Sequence, residues 1–393
     1  MMTKPITARA LGRATLERQL LLRRDPMGVT GAVTHLVGLQ AQEVRPPYVT
    51  LAARLDGFTP AALSAALEER SVARLVTMRS TIHLHTAEDC MTLRPLVQPA
   101  RERELHMFRK GLVGVDLARL GALTRQYVEA EPRTPKELRE LLLKEWPDAD
   151  PQSLSTAARC LLPLVQVTPR GLWRRSGGVR LTTAEHWLGG AEPEAARGET
   201  PAPEGPPAPE GTQAPEGTQT ADATVLRYLG AFGPASVKDF QQWAGLTRTK
   251  EVFERLRPRL VTLRDEHGVE LFDLPDAPRP GEDVPAPPRL LAEFDNLLLS
   301  HADRTRVVRK SDRGRTWQGN VAHATFLVDG MLAGLWSLRE GKESKGEGSS
   351  LLLEPFRELT RNQRDELVAE AERMAAVLEA PGAVTVDFGT VRT

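Results

Sequence analysis

Two side-chain amides, Gln40 and Gln42, stand one residue apart in Gly38-Leu39-Gln40-Ala41-Gln42, shortly before Pro46-Pro47. An amide does not ionise, so it is a poor general base. It can hold a water or a polar substrate by hydrogen bonding. Val33, Leu36, Val37 and Gln40 recur at helical spacing, so Gln40 continues the apolar face of a predicted helix and points inward. Gln42 lies about 200° away if that helix continues, but on Gln40's side if the chain has become extended. The two amides converge only if the helix stops here, which the prolines favour. Otherwise they are hydrogen-bonding groups that satisfy a helix end.

A second cluster is cationic. Arg304, Arg306, Arg309, Lys310, Arg313 and Arg315 have only Asp303 and Asp312 against them. On an extended run Arg304 and Arg306 would face one side, to grip phosphates or enter a groove. A solvated loop is the other reading. His83 and His85 share one face of a predicted strand, but no third ligand is near. Packing and hydrogen bonding are therefore expected of them, and neither a metal nor a cofactor. There is no G-x-S-x-G, C-x-x-C or H-E-x-x-H, and Gly341–Glu347 lacks the Lys-Ser/Thr of a phosphate loop.

The 393 residues suggest two or three domains. Net charge is zero, but its distribution is uneven. Residues 1–190 hold 27 Lys and Arg against 19 Asp and Glu, and 191–221 hold 1 against 6. Of the 52 cations 43 are Arg, whose planar fork matches phosphate oxygens. Cys90 and Cys160 cannot make a disulfide framework. No apolar run reaches the ~20 residues of a membrane span, and Met1 to Arg24 alternates Arg with Leu. The expectation from these counts is a soluble protein of the cytoplasm with no membrane partner.

The elements that must position these groups repeat one plan, helices followed by a short hairpin. In 1–133 helices are predicted near Arg9, over Val29–Val37, Tyr48–Leu55 and Pro60–Arg70, closed by a hairpin of Val72–Thr77 and Thr81–His85. In 134–190 Thr134-Pro135-Lys136-Glu137 has capping-box spacing. A helix from Pro151 follows, then extended runs Leu164–Thr168 and Leu172–Arg175 across Pro169-Arg170-Gly171, and a third run, Val179–Leu181. Residues 191–221 repeat Ala-Pro-Glu-Gly at 202, 208 and 214, which predicts a disordered linker. In 222–280 Ser236 and Thr247 can cap helices ahead of strands Val261–Arg264 and Val269–Leu274. Residues 281–393 alternate short strands with one long helix through Leu367, Ala371, Met374 and Leu378. Asp329-Gly330 makes a tight turn. The predicted class is mainly α with β-wings (α+β): tandem winged-helix motifs plus a C-terminal β-rich α+β domain. Winged helices commonly touch DNA backbone and groove.

Gly38-Leu39-Gln40-Ala41-Gln42 resembles the Q-x-Q motif of the AlkZ-like winged-helix DNA glycosylases. Arg79-Ser80-Thr81-Ile82-His83-Leu84, Leu299-Ser300-His301-Ala302-Asp303-Arg304 and Phe326-Leu327-Val328-Asp329-Gly330 agree with the same family. The resemblance covers the chain except 191–221 and implies a DNA channel enclosed by tandem winged helices. It implies excision of alkylated bases and unhooking of interstrand crosslinks, hence DNA repair and resistance to a genotoxic antibiotic. Double-stranded DNA with alkylated or crosslinked bases would be the partner. Gln40 and Gln42 would be catalytic, and Arg79, His83, His301, Arg304, Arg306, Arg309 and Arg313 would bind DNA. A related branch carries Q-x-D, and Gln42 places this chain in the Q-x-Q branch. The alternative from another class is a non-catalytic winged-helix regulator, which has no need of inward convergent amides.

Overall fold

The computed structural model describes residues 5–189, 216–318, 321–341 and 347–390. The chain opens with α1 (Ala8–Arg18), α2 (Val29–His35), β1 (Leu39–Gln40), α3 (Pro46–Arg54) and α4 (Pro60–Glu68), then β2 (Val72–Val76) and β3 (Ile82–Thr86). Gln40 is thus on a strand, not on the helix expected to carry it. Three helices follow that the sequence reading did not identify: α5 (Ala87–Leu96), α6 (Gln98–Met107) and α7 (Leu117–Ala130). The last packs Leu120 and Val128 with Leu138, Leu142 and Leu154 of α8 (Pro135–Glu145) and α9 (Pro151–Leu161). Thr134 and Glu137 form the expected capping box of α8.

β4 (Leu164–Gln166) and β5 (Leu181–Thr183) come next, then α10 (Ala184–Leu188). The hairpin expected across Pro169-Arg170-Gly171 is absent. Instead Val165 pairs with Thr182 on one side and Leu75 on the other, giving one five-stranded sheet in the order β1-β3-β2-β4-β5. The 169–174 turn has other partners. The Gly171 carbonyl accepts from the Tyr48 hydroxyl at 2.7 Å, and Trp173 N–H donates to Ser64 Oγ at 3.0 Å. Those bonds dock the turn on α3 and α4.

Most of the 191–221 segment lies outside the described residues, but its end is helical: α11 spans Glu216–Phe232. α12 (Val237–Ala244) starts on a Ser236–Asp239 capping box and stops at Gly245, whose φ of +70° suits glycine. α13 (Lys250–Leu256) begins after Thr249, two residues later than expected, and Thr249 makes no side-chain capping bond. β6 (Val261–Arg264) and β7 (Glu270–Asp273) form the hairpin that closes this unit. Tyr228, Phe232, Phe240, Trp243, Phe253 and Phe272 build its core.

The C-terminal part holds β8 (Arg289–Leu291), α14 (Asn296–Leu299), a ribbon of β9 (Trp317–Gln318) and β10 (Val321–Ala322), β11 (Thr325–Val328), β12 (Met331–Arg339), β13 (Ser349–Pro355), α15 (Arg361–Val377) and β14 (Val384–Phe388). Its sheet runs β14-β13-β12-β11-β8, with β13 and β14 parallel. Asp329 and Gly330 make the expected turn at φ +49° and +73°. Leu367, Ala371 and Met374 of α15 share one core with Leu36, Tyr48 and Leu51, so the two ends of the chain pack as one body. The buried Arg54–Asp295 ion pair, 2.7 Å, ties α3 to the segment before α14. Among the described residues no helix is long and apolar enough to cross a membrane.

Candidate active site

The geometry of the glutamine pair begins where α2 stops. Val37 N–H donates to the Thr34 carbonyl and Gly38 N–H to that of Val33, the bonding of a Schellman cap. The left-handed residue of that cap is Val37, at φ +54°, an uncommon place for a β-branched side chain. Gly38 follows at φ +93°, and a Cβ there would run into the imidazole of His85. Asn296 Nδ2 holds the Gly38 carbonyl at 2.8 Å. The helix is therefore ended by its own cap, well before the prolines, and the chain leaves it extended.

β1 then pairs with β3, Leu39 opposite Leu84 and Gln40 opposite His83. Ala41 N–H continues the ladder to the Ile82 carbonyl, 2.8 Å. The return bond is different. The Ala41 carbonyl turns to Arg74 Nη2 (2.6 Å), and Ile82 N–H donates to Gln42 Oε1 (3.2 Å). The Gln42 side chain thus takes the place of a backbone carbonyl at the end of the ladder. Gln40 is buried and Gln42 exposed. β1 ends at Gln40 and the chain bends at Gln42, but both residues are tied to β3, Gln40 opposite His83 and Gln42 through the Ile82 N–H.

Gln40 Oε1 accepts from Arg79 Nη2 at 2.8 Å. The same nitrogen lies 3.1 Å from His83 Nε2, and Arg79 Nη1 donates to the Trp243 carbonyl at the end of α12. His83 Nδ1 is 3.0 Å from the Thr81 carbonyl, so the proton sits on Nδ1 and Nε2 accepts from the guanidinium. Burial, the Arg79 charge and His85 push the His83 pKa well below its usual value, keeping the ring neutral. Burial and the nearby Arg304 charge lower the Arg79 pKa to about 10, so it stays cationic at neutral pH. Gln40, Arg79 and His83 are brought together; Arg79 and His83 are here joined to Gln40 and to backbone carbonyls.

The remaining candidates divide. Arg304 is half-buried, and its side chain has no hydrogen bond or ion pair among the described residues. Burial and Arg313 lower its pKa. Arg309 and Arg313 are exposed, with Arg313 3.7 Å from Asp303. Arg306 is buried, bonded to Thr15 Oγ1 (3.1 Å) and the Pro234 carbonyl (2.8 Å), and 3.9 Å from Asp239. His301 is buried beside it, 3.0 Å from the Phe232 carbonyl. Arg304 and Arg306 therefore do not face one side. The segment runs through turns and a short 3-10 helix instead of a strand, and it aims Arg306 at the seam between α1 and α11–α12. The His301 and Arg306 side chains are thus both engaged with internal partners.

Three positioning groups were missed by sequence reasoning. Arg74 looks like an ordinary strand residue in Val72–Val76, Asn296 like one polar side chain ahead of an apolar run, and the Trp243 carbonyl has no side-chain signal. Nothing in spacing alone links them to positions 38–42. Together they leave two neutral amides with their oxygens oriented, each oxygen having spent one of its two lone pairs on the protein. The other lone pair can accept from a water.

The family described as DNA glycosylase AlkZ-like has a model that matches residues 33–377. Among solved structures, the DNA glycosylase AlkZ of Streptomyces sahachiroi is similar at a TM-score of 0.73 and 18% identity, covering 98% of this chain and 100% of that one. No curated protein matches the sequence.

Proposed function

This chain belongs to the AlkZ-like DNA glycosylase family and is a DNA glycosylase, and from that premise we propose that it excises N7-alkylguanine-type bases with Gln40 and Gln42 holding the hydrolytic water. The observation that carries this reading is the fixed orientation of the two amides beside one strand: Arg79 on Gln40 Oε1 and the Ile82 N–H of β3 on Gln42 Oε1. They occupy the positions of the Q-x-Q motif.

The chemistry suits neutral groups. An N7-alkylated guanine carries positive charge and leaves with little acid catalysis. Departure of the base creates an oxocarbenium-like sugar, and the task left is to hold a water beside its carbon. Two amide oxygens accept the water's protons as hydrogen bonds without taking one, and the proton passes to solvent after the C–O bond has formed. Such a site favours lesions with weak glycosidic bonds over normal bases. A crosslinked base tied to both strands cannot rotate fully into a pocket, so an open channel suits unhooking better than base flipping.

In this reading the helix–hairpin units act as winged helices around double-stranded DNA, Arg304 with Arg309 and Arg313 meets phosphate, and His301 and Arg306 support that segment from beneath. The protein works as a monomer in the cytoplasm, without cofactor or metal, in self-resistance to a genotoxic alkylator. The test is incubation with duplex DNA carrying N7-methylguanine, followed by alkaline cleavage at abasic sites. Strand breaks at the modified guanine support the reading; intact strands with tight DNA binding favour a non-catalytic regulator.

A further inference from the structure

Three of the exposed large apolar side chains among the described residues fall in one short stretch. They are Met107 at the end of α6, Val113, and Leu117 at the start of α7. Val113 is 83% and Met107 71% exposed, the two highest values in that group. Arg109 and Lys110 between them are exposed as well. The turn is anchored. Leu112 is buried in the core of α7–α9, and the Gly111 carbonyl accepts from Asp150 N–H at 3.0 Å. A Cβ on Gly111 would clash with Ser153 and Asp150, so the backbone is held tightly there. An apolar tip held out on fixed backbone is the mark of a surface that meets a partner.

Its position says which partner. Arg103 of α6 donates to the Gly245 carbonyl at 3.1 Å, and Gly245 backs onto the main chain of Arg79, the residue that orients Gln40. Met107 is one helical turn farther along α6, a rise of about 6 Å. The tip therefore stands on the helix that is bonded to the Gly245 corner behind Arg79. Two cations beside two apolar side chains match a nucleic-acid groove, where cations meet phosphate and apolar groups press on base steps. A second copy of this chain would bring the same cations against each other.

We propose that the 107–113 turn is a DNA wedge: Met107 and Val113 press into a base step near the lesion while Arg109 and Lys110 hold the flanking phosphates. It would open the stack locally around a base that cannot be rotated out. Its placement beside the lesion rests on the reading of Gln40 and Gln42 as the site; its contact with DNA does not.

The test uses the full chain and a duplex with a tetrahydrofuran abasic analogue and 2-aminopurine at the neighbouring steps. The wild type is expected to raise 2-aminopurine fluorescence on binding. Met107→Ala with Val113→Ala should abolish that rise and weaken binding about tenfold, the scale of one lost apolar contact pair, with an unchanged melting temperature. Met107→Gln with Val113→Thr, closer in shape, should do the same, and Met107→Leu with Val113→Ile should keep the rise. Arg109→Ala with Lys110→Ala should reduce the log–log salt slope by about 2. Wild-type fluorescence and affinity in well-folded wedge variants would overturn the proposal. So would concentration-dependent self-association of the wild type that the variants lose, which would make the turn a contact between copies. Lost binding here alongside full excision by Gln42→Ala would leave the wedge standing and move the catalytic site.

Discussion

Arg79 Nη2 lies 2.8 Å from Gln40 Oε1, and the same guanidinium grips the carbonyl of Trp243 at the end of α12. One side chain thus connects the amide of the first unit to the helix of a unit more than 160 residues away. The amide's oxygen is fixed on the Arg79 side, and its aim depends on how the two units pack.

Arg79→Met should therefore slow single-turnover excision by about 100-fold, the scale of a misplaced reacting group. Duplex affinity should stay near wild type, and Arg79→Lys should recover only part of the rate because it cannot fork between Gln40 and Trp243. Single-turnover kinetics with fluorescence anisotropy separates the two effects. A normal rate with weakened affinity would make Arg79 a phosphate contact.

Arg304→Ala and Arg306→Ala should part company. The Arg304 side chain has no partner among the described residues, so its loss should weaken duplex binding and lower the salt slope by about 1. Arg306 is buried against Thr15, Pro234 and Asp239, so its loss should cost about 3–5 kcal/mol of stability. Denaturant melts and salt-dependent anisotropy distinguish them. Equal effects on affinity from two folded variants would show that both side chains reach DNA.

Gly38→Ala should destabilise the protein by about 2–4 kcal/mol, since the methyl meets His85 and the backbone sits at φ +93°. A chemical denaturation midpoint close to wild type would mean that the turn into β1 is looser than this packing implies.

Acid should unfold the protein without retuning its site. Burial is the first cause of a lowered pKa at His83, His85 (about 4) and His301. Above about pH 6.5 these rings are neutral folded or unfolded and contribute nothing to the pH dependence. Below it the unfolded chain takes up protons that the native rings refuse. Stability should then fall by roughly 1.4 kcal/mol per pH unit for each, until the native pKa values are reached. The excision rate on cationic N7-methylguanine should be flat from about pH 6.5 to 9, because His83 stays neutral and Arg79 charged. A bell-shaped profile in that window would reveal a titrating group that the Gln40 cluster does not contain.

Local signals were legible wherever one short segment decides the outcome. The Thr134–Glu137 and Ser236–Asp239 caps, Gly245 and Asp329-Gly330 all work through neighbours within a few residues. The strand at Leu39–Gln40 was not legible. It is two residues long and exists because Leu84 and His83 lie beside it, while the apolar spacing before it continues a helix. The stop at Val37 breaks the usual preference for glycine at a left-handed cap, so no turn signal announced it. The pairing of β4 went astray for the same reason: it lies between β2, some ninety residues earlier, and β5, and does not pair with the extended run directly after it. Gln40, Gln42 and Arg79 stood out in the sequence, but the bond from Arg79 to Gln40, and Arg74 and Asn296 on the Ala41 and Gly38 carbonyls, arise only from tertiary packing.

The most direct test of the central claim is the single-turnover excision rate of N7-methylguanine from duplex DNA by Gln42→Ala and Gln42→Asp, at saturating enzyme and with folding checked by thermal melt. Gln42 Oε1 also accepts the Ile82 N–H, so the melt is needed to separate a loosened ladder end from lost chemistry. Gln42→Ala should lose about 10²–10³ in rate, the usual effect of removing one placed hydrogen-bonding group at a reacting centre, while still binding DNA. Gln42→Asp keeps an oxygen acceptor and adds a negative charge beside the cationic sugar, so it should retain more activity than the alanine variant. Wild-type excision by a well-folded Gln42→Ala would contradict the account.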